Sequence, residues 1–149
     1  MTQHAPLFIV LLPVSAALLC MLFSRIQKNL GSWIVIASIA GAFLSAVSSL
    51  QQVIADGGKA LHYWMGNWQP PLGIEFVIDP ISGALAVLIT FIALLGSLYS
   101  LPFVKEEGWL HIGGYYTLYG LMTVGMCGMV ITGDVFNLYV FLEVMSLSG

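Results

Sequence analysis

The sequence predicts an all-α polytopic membrane protein with five transmembrane helices, the fifth incomplete, and a small outer β-hairpin between helices two and three. Hydrophobic residues make up 59% of the 149 residues and charged residues 7%, whereas about a quarter of an ordinary soluble domain is charged. The uncharged residues also fall into runs of about 20, the length that an α-helix needs to cross a bilayer. Most of this chain therefore cannot face water.

Charged or glycine-rich connections separate the runs. Arg25 and Lys28 follow the first run, residues 56–59 the second, residues 105–107 the third, and Gly133 with Asp134 the fourth. We expect a single membrane domain over residues 1–149, with helices near residues 6–24, 32–55, 81–104, 113–132 and 134–149 and an extramembrane hairpin near residues 56–79.

Residues 62–78 hold aromatic and β-branched side chains on either side of turn-forming residues, which predicts two short strands and a turn. The turn formers are Asn67, Pro70, Pro71 and Gly73. The aromatic side chains suit anchorage at the membrane interface at least as well as ligand binding. Asp79, directly before Pro80, is interpreted as the cap of the third helix.

Basic residues set the predicted orientation, because short cytoplasmic loops are enriched in Lys and Arg. Arg25 and Lys28 place the first connection in the cytoplasm, and alternation then puts Lys59 outside and Lys105 inside. The sequence thus predicts a multi-pass protein of the cell (inner) membrane with its N-terminus on the outer side.

Small residues predict where the second helix packs. A stripe in which every fourth residue is small lets another helix approach closely; its members are Ala37, Gly41, Ser45 and Ser49. In the fourth helix, Gly120, Gly125 and Gly128 alternate with methionines, which suits close packing better than a flexible segment beside an ion pathway.

Glu143 is the residue most out of place for a structural role. It lies nine residues after Asp134 in an apolar stretch, which puts it about 13 Å below the helix start and near the middle of a hydrocarbon core about 30 Å thick. Tyr139 and Ser146 share its helical face and predict a polar seam. Asp134 lies on the opposite face, where it is more simply an N-cap.

Two interpretations of Glu143 stay open. An ionisable group inside a membrane marks a functional site by default, and a carboxylate whose cationic partner comes and goes forms a proton switch. A fixed ion pair, or a protonated carboxyl bonded to a neighbouring helix, is the structural alternative. No Lys or Arg lies within the five spans, so a cationic partner would come from elsewhere.

Other chemistry finds no support in the sequence. Cys20 and Cys127 lie inside apolar runs and suit packing, and the three histidines lie near span ends, where surface roles outweigh metal binding. There is no nucleotide loop, basic patch or nucleophile–base pattern. We therefore expect a transport subunit rather than an enzyme, with no cofactor, no metal and no nucleic-acid partner.

Two segments carry a family resemblance. Residues 132–148 (TGDVFNLYVFLEVMSLS) resemble the fifth helix of the antiporter-like membrane subunits, and residues 76–85 (FVIDPISGAL) resemble the segment that opens their third helix. This family comprises the D-type subunits of Mrp cation/proton antiporters and the proton-pumping membrane subunits of respiratory complex I and membrane-bound hydrogenases. The resemblance covers the whole chain as helices one to five.

The resemblance implies that Glu143 matches the family's fifth-helix glutamate, which pairs with a lysine on a later helix and modulates proton movement. Family members have about fourteen helices, so we expect this chain to be the N-terminal part of a larger subunit, as a fragment or one half of a split subunit. The expected partners are other membrane subunits, the lipid bilayer, protons and monovalent cations.

Three functions follow, in order of preference. The first is an ion-translocating subunit of a multisubunit cation (Na⁺)/proton antiporter with Glu143 in the proton pathway. The second is the proton-pumping subunit of a complex I-like NADH:quinone oxidoreductase or a membrane-bound hydrogenase. The third is a structural scaffold, in which Glu143 tolerates Gln while bulky residues at Gly41 or Ser45 block assembly. The sequence leaves sodium and potassium undistinguished.

Overall fold

A computed structural model describes residues 4–26, 30–67, 73–104 and 109–149. Five α-helices account for most of them: α1 Ala5–Ile26, α2 Leu30–Ala55, α3 Pro80–Val104, α4 Trp109–Ile131 and α5 Val135–Ser148. Two strands, β1 Leu61–Trp64 and β2 Glu75–Ile78, lie between α2 and α3. The predicted fold class is thereby confirmed. Several residues used in the sequence-based predictions lie outside the described residues: Lys28, Lys105, Trp68, Pro70 and Pro71.

Four of the helices are long and apolar enough to cross a membrane: Ala5–Ser24, Leu30–Ala55, Pro80–Val104 and His111–Ile131. The fifth, Val135–Ser148, is apolar but has 14 residues. α4 begins four residues before the predicted Gly113, because neither glycine at 113–114 interrupts the helical backbone. The chain is a multi-pass membrane protein; which side of the membrane the hairpin faces stays a prediction.

Helices α1 to α4 form a bundle in which α1 packs on α2 and α4, and α3 packs on α2 and α4, while α5 packs against the outside of α4. Two buried clusters fill the bundle. The cluster at the hairpin end includes Ile9, Val53, Phe76 and Ile131, and the cluster at the opposite end includes Val35, Ile39, Ile112 and Tyr116. The exposed side of α3 is apolar, as lipid requires, with Ile81 72% and Phe103 64% exposed.

Many serine and threonine hydroxyl groups donate to a carbonyl of the same helix. Thr90 donates to the Ala86 carbonyl at 2.7 Å, Ser49 to Ser45 O at 2.9 Å and Ser97 to Leu94 O at 2.8 Å. Lipid offers no hydrogen bonds, so each unpaired polar group inside the bilayer destabilises the folded protein by roughly several kcal/mol. Among the described residues, no buried side-chain nitrogen or oxygen lacks a partner.

The predicted packing stripe on α2 lies only partly on the face that the described helices bury. Ala37 is exposed, Gly41 and Ser45 are half-buried, and only Ser49 is buried. Steps of four residues advance about 400° on an α-helix, so the stripe drifts by about 40° per step and leaves the packed face. The small residues buried on α2 are Gly31, Ser32, Ala42, Ala46 and Ser49, of which only Ser49 belongs to the stripe. Gly41 still faces α1, since a Cβ there would lie 3.0 Å from Leu12.

Glycine ends α2 and lets the chain turn towards the hairpin. Gly57 adopts φ 74°, in the left-handed region that side chains disfavour. Its N–H donates to Ile54 O at 3.1 Å, and the Gly58 N–H donates to Val53 O at 2.8 Å, which together form a Schellman motif. The free carbonyls of the last helical turn are thereby paired.

The hairpin is antiparallel, with Leu61 opposite Ile78 and Trp64 opposite Glu75. One carboxylate oxygen of Glu75 accepts hydrogen bonds from His62 Nδ1 at 2.7 Å and from Trp64 Nε1 at 3.0 Å. The His62 bond is the main reason that the pKa of Glu75 lies below its usual range, and the Trp64 bond contributes less. These cross-strand bonds join the two strands at the end of the hairpin where the chain passes from β1 to β2.

We expect His62→Ala to raise the pKa of Glu75 towards its ordinary value, and Trp64→Phe to raise it less, because it removes the smaller contribution. A carboxyl with a lowered pKa in the folded state stabilises that state above the ordinary value, and the contribution is lost as the pH falls through the lowered pKa. A ¹³C NMR titration of the Glu75 carboxyl in protein labelled at glutamate measures both shifts. Equal pKa values in the wild type and His62→Ala would contradict this account.

Candidate functional site

Asp134 starts α5 as its N-cap. Its backbone is extended (φ −116°, ψ 129°), and its carboxylate accepts the Phe136 N–H at 3.0 Å. This bond satisfies one of the unpaired N–H groups of the first helical turn. Thr132 Oγ1 accepts from Asn137 Nδ2 at 3.1 Å, and Asn137 is 6% exposed. The start of α5 is therefore fixed by side chains on both sides of the Gly133 turn.

The packed face of α5 lies against glycines of α4. A Cβ at Gly125 would lie 2.7 Å from the Cβ of Met145, and a Cβ at Gly128 would overlap the ring of Phe141. The absence of these two side chains is what lets the helices approach so closely. The sequence pattern placed Gly125 and Gly128 in a packed segment but did not identify their partners.

The opposite face of α5 carries the residues that the sequence singled out. Glu143 follows the buried Phe141 by two residues, about 200° around the helix, so it points away from α4. Glu143 and Ser146 are exposed, and Tyr139 is 63% exposed. Within the described residues the Glu143 carboxylate makes no hydrogen bond and no ion pair, and none joins it to Tyr139 or Ser146.

Asp79 and Asp134 do not approach this face. Asp79 caps α3: its Oδ1 accepts the Ser82 N–H at 2.6 Å, and the Asp79 N–H donates to Ser82 Oγ at 2.8 Å. The Ser82 backbone bond is the main cause that lowers the pKa of Asp79. This reciprocal pair is a capping box. Glu143 is thus the carboxylate that the fold leaves in the apolar region of the chain.

No group of three or more His, Cys, Asp or Glu side chains suited to a metal ion occurs in the part of the chain that the structure describes. His4 lies 3.0 Å from the Tyr63 hydroxyl and His62 bonds Glu75. Both cysteines are buried and free. Chemically, this arrangement presents one carboxyl group, that of Glu143, on an apolar helix face.

Similar proteins of known sequence match the chain over nearly its whole length. The chain is 36% identical over 149 residues to NADH-quinone oxidoreductase subunit N of Desulforudis audaxviator, covering all of this chain and 30% of the relative. It is 30% identical to the D-type subunit of a probable K(+)/H(+) antiporter of Rhizobium meliloti and 29% identical to the D-type subunit of a Na(+)/H(+) antiporter of Bacillus subtilis. Those matches cover 96% and 94% of this chain and 26% and 27% of the relatives.

Solved structures agree. A chain of an archaeal respiratory complex, the membrane-bound sulfane sulfur reductase, superposes with a TM-score of 0.87 at 29% identity, over 98% of this chain and 29% of that chain. A chain of the Mrp complex from Dietzia sp. DQ12-45-1b superposes with a TM-score of 0.78 at 25% identity, over 99% of this chain and 26% of that chain. The chain is homologous to the N-terminal region of the antiporter-like membrane subunits.

That relationship confirms the resemblance carried by residues 132–148 and 76–85. The chain spans less than a third of the length of the relatives that it matches. No protein-family model matches it.

Sequence reasoning missed the residues that hold α5 from the hairpin side. The Gly133 N–H donates to the Glu75 carbonyl at 2.9 Å, and Phe76 pairs with Thr132 as an isolated antiparallel bridge. The ring centroids of Phe76 and Phe141 lie 6.4 Å apart. More than fifty residues separate the partners in each pair, so no local sequence pattern could have identified these contacts.

Replacing Gly128 with Ala should destabilise the assembled protein, because the new methyl group must displace the Phe141 ring, and overpacking of this kind costs about 1–3 kcal/mol. Gly114→Ala, in the same helix, is the matched control, since nothing lies within 4 Å of a Cβ there. Alanine favours a helix over glycine by about 1 kcal/mol, so Gly114→Ala should not lower the thermal unfolding midpoint of the purified complex. A Gly128→Ala variant that unfolds at the wild-type temperature would refute the proposed contact.

Proposed function

We propose that this chain forms the first five helices of an ion-translocating subunit in a multisubunit cation/proton antiporter, and that Glu143 carries protons in its pathway. The observation that supports the proposal most is the placement of Glu143. The fold pairs the other acidic side chains near α5 with backbone or hairpin groups, yet no described residue pairs with Glu143 on the apolar outward face of α5.

The outward face of α5 has the composition of a surface that is covered in an assembly. Val135, Phe136 and Leu147 are 82%, 75% and 77% exposed beside Glu143. Ionisable residues in membrane helices nearly always face a bundle interior or a water-filled cavity. We infer that further membrane helices cover this face and supply a cationic partner for Glu143.

The chemistry of the proposed step is a change of protonation. A carboxylate close to a cation favours its charged form, and one that loses the cation in a dry environment favours its neutral form. Movement of the partner would therefore make the carboxyl take up a proton from one side of the membrane and release it towards the other side. Tyr139 and Ser146, on the same face, would hold water or the proton's next acceptor beside the carboxyl.

Glu143→Gln should reduce cation/proton exchange by at least about tenfold in the assembled complex, since the amide keeps the shape of the side chain but cannot carry a proton. Asp134→Asn is the control: it removes a carboxylate from the same helix, while Asn caps about as well as Asp. Exchange is measured as Na⁺- or K⁺-induced pH change inside proteoliposomes. Full exchange by Glu143→Gln would contradict the proton role of Glu143 and favour a structural scaffold.

A redox-driven pump is the second candidate, because an oxidoreductase subunit and a respiratory-complex chain are among the similar proteins. The two candidates share the role of Glu143 and differ in the source of energy. Iron–sulfur subunits that co-purify with the native chain, together with proton translocation that requires no added Na⁺ or K⁺, would favour the pump. In neither case does this chain carry out redox chemistry of its own.

We also propose that the protein lies in the cell membrane with its N-terminus and hairpin outside. The basic residues of the first connection and the exposed Lys59 of the hairpin segment support this. A membrane-impermeant thiol reagent added to intact cells should label Lys59→Cys, since the native cysteines are buried. Labelling only after permeabilisation would reverse the orientation.

A further inference from the structure

We propose that Phe76, in the hairpin, is a positioning residue for Glu143 that acts through Phe141 of α5. The inference rests on the proposed function of Glu143, but it concerns a different part of the molecule. Phe76 lies in a strand outside the helices, yet it is 1% exposed. A ring so deeply buried in an extramembrane strand is part of the bundle rather than of the surface.

Contacts on two sides hold the Phe141 ring. On one side the Phe76 ring lies at a centroid distance of 6.4 Å and an interplanar angle of 34°. On the other side Gly128 leaves room for the Phe141 ring and for nothing larger than hydrogen. Phe141 is 8% exposed as a result. It cannot shift towards α4, and Phe76 blocks its movement towards the hairpin.

Backbone pairing fixes Phe76 itself with respect to α5. The Glu75 carbonyl accepts the Gly133 N–H at 2.9 Å, and Phe76 forms an antiparallel bridge with Thr132. Gly133 fits because a Cβ there would lie 2.6 Å from Val77 Cγ2. The strand that carries Phe76 is thus attached to the turn from which α5 starts. Hairpin, turn and ring form one continuous set of contacts.

This set of contacts determines where the Glu143 carboxyl points. Phe141 and Glu143 lie two residues apart on a helix, so a movement of one is transmitted to the other. A rotation of α5 by about 20° would move a side-chain tip at a radius of about 6 Å by about 2 Å. Within the described residues no hydrogen bond or ion pair holds the Glu143 carboxyl, so its position depends on the packed face of α5.

The test compares Phe76→Leu with Phe43→Leu in the assembled complex. Phe43 is the matched control, because its ring pairs with Phe91 at 5.8 Å between α2 and α3, away from α5. Cation/proton exchange is measured in proteoliposomes over a range of pH, together with the yield of assembled complex. Phe76→Leu should lower the maximal rate per assembled complex by about tenfold and shift the pH of half-maximal rate by about half a unit, because misplacement of a reacting group by about 1 Å is costly.

Phe43→Leu should leave the pH of half-maximal rate at the wild-type value. A purely structural role for Phe76 lowers the yield of complex but moves neither the pH profile nor the rate per complex, and that result overturns the proposal. If Phe76→Leu does not assemble, Phe141→Leu removes the same contact from its other side and is read in the same way. Failure of both variants to assemble would mean that the contact serves folding alone, and the proposal falls.

The outcome is separable from that of the proposed function. Full activity of Glu143→Gln overturns the role of the glutamate itself. Loss of activity in Glu143→Gln with an unshifted profile in Phe76→Leu leaves the proton role standing and overturns only the positioning role of Phe76.

Discussion

The direction in which the outward face of α5 points depends on the attachment of β2 to the turn between α4 and α5. α5 packs mainly against one helix, and a 14-residue helix has little stability of its own. The hydrogen bond from Gly133 to the Glu75 carbonyl and the bridge between Phe76 and Thr132 tie its start to a strand that is itself packed on the bundle. This attachment sets the direction in which α5 leaves α4.

The bilayer explains the rest of the design. Lipid cannot compensate unpaired polar groups, so serines and threonines donate to carbonyls of the preceding turn, and helices associate through small residues rather than through a hydrophobic drive. Gly125 and Gly128 let α5 come close to α4. On α2, the small residues Ala42 and Ala46 lie on the buried face. Glu143 is an exception, because no described residue pairs with its carboxylate, and it lies on the outward face of α5.

Relatives named for different activities match this chain: an oxidoreductase subunit and two cation/proton antiporter subunits. Under the proposed function, a five-helix unit that presents one protonatable side chain is compatible with either source of energy, because the energy would have to reach only the proposed cationic partner of the glutamate. The hairpin lies at one end of the bundle, and through Phe76 and Phe141 it reaches the helix of the glutamate. A change at the hairpin therefore has a physical route to the site.

The sequence by itself determined that most of the chain lies in a membrane rather than in water. It also determined where the helices run and how far along its helix Glu143 lies. Long uncharged runs specify spans regardless of their neighbours. The local patterns at Asp79 and Asp134 specify caps, because each carboxylate accepts a backbone N–H two or three residues further along. Aromatic and β-branched residues around turn formers indicated the strands of the hairpin in the same local way. Family resemblance added the proposed proton role of Glu143.

Only the tertiary structure decided which faces meet. The stripe that begins at Ala37 lies only partly on the buried face of α2, because a four-residue repeat drifts around a helix of about 3.6 residues per turn, whereas burial depends on where the neighbouring helix runs. The contacts of Phe76 with Phe141 and of Glu75 with Gly133 join residues far apart in the chain, and no local propensity encodes them. Long-range packing of this kind is visible only once the elements are in place, and it is what orients Glu143.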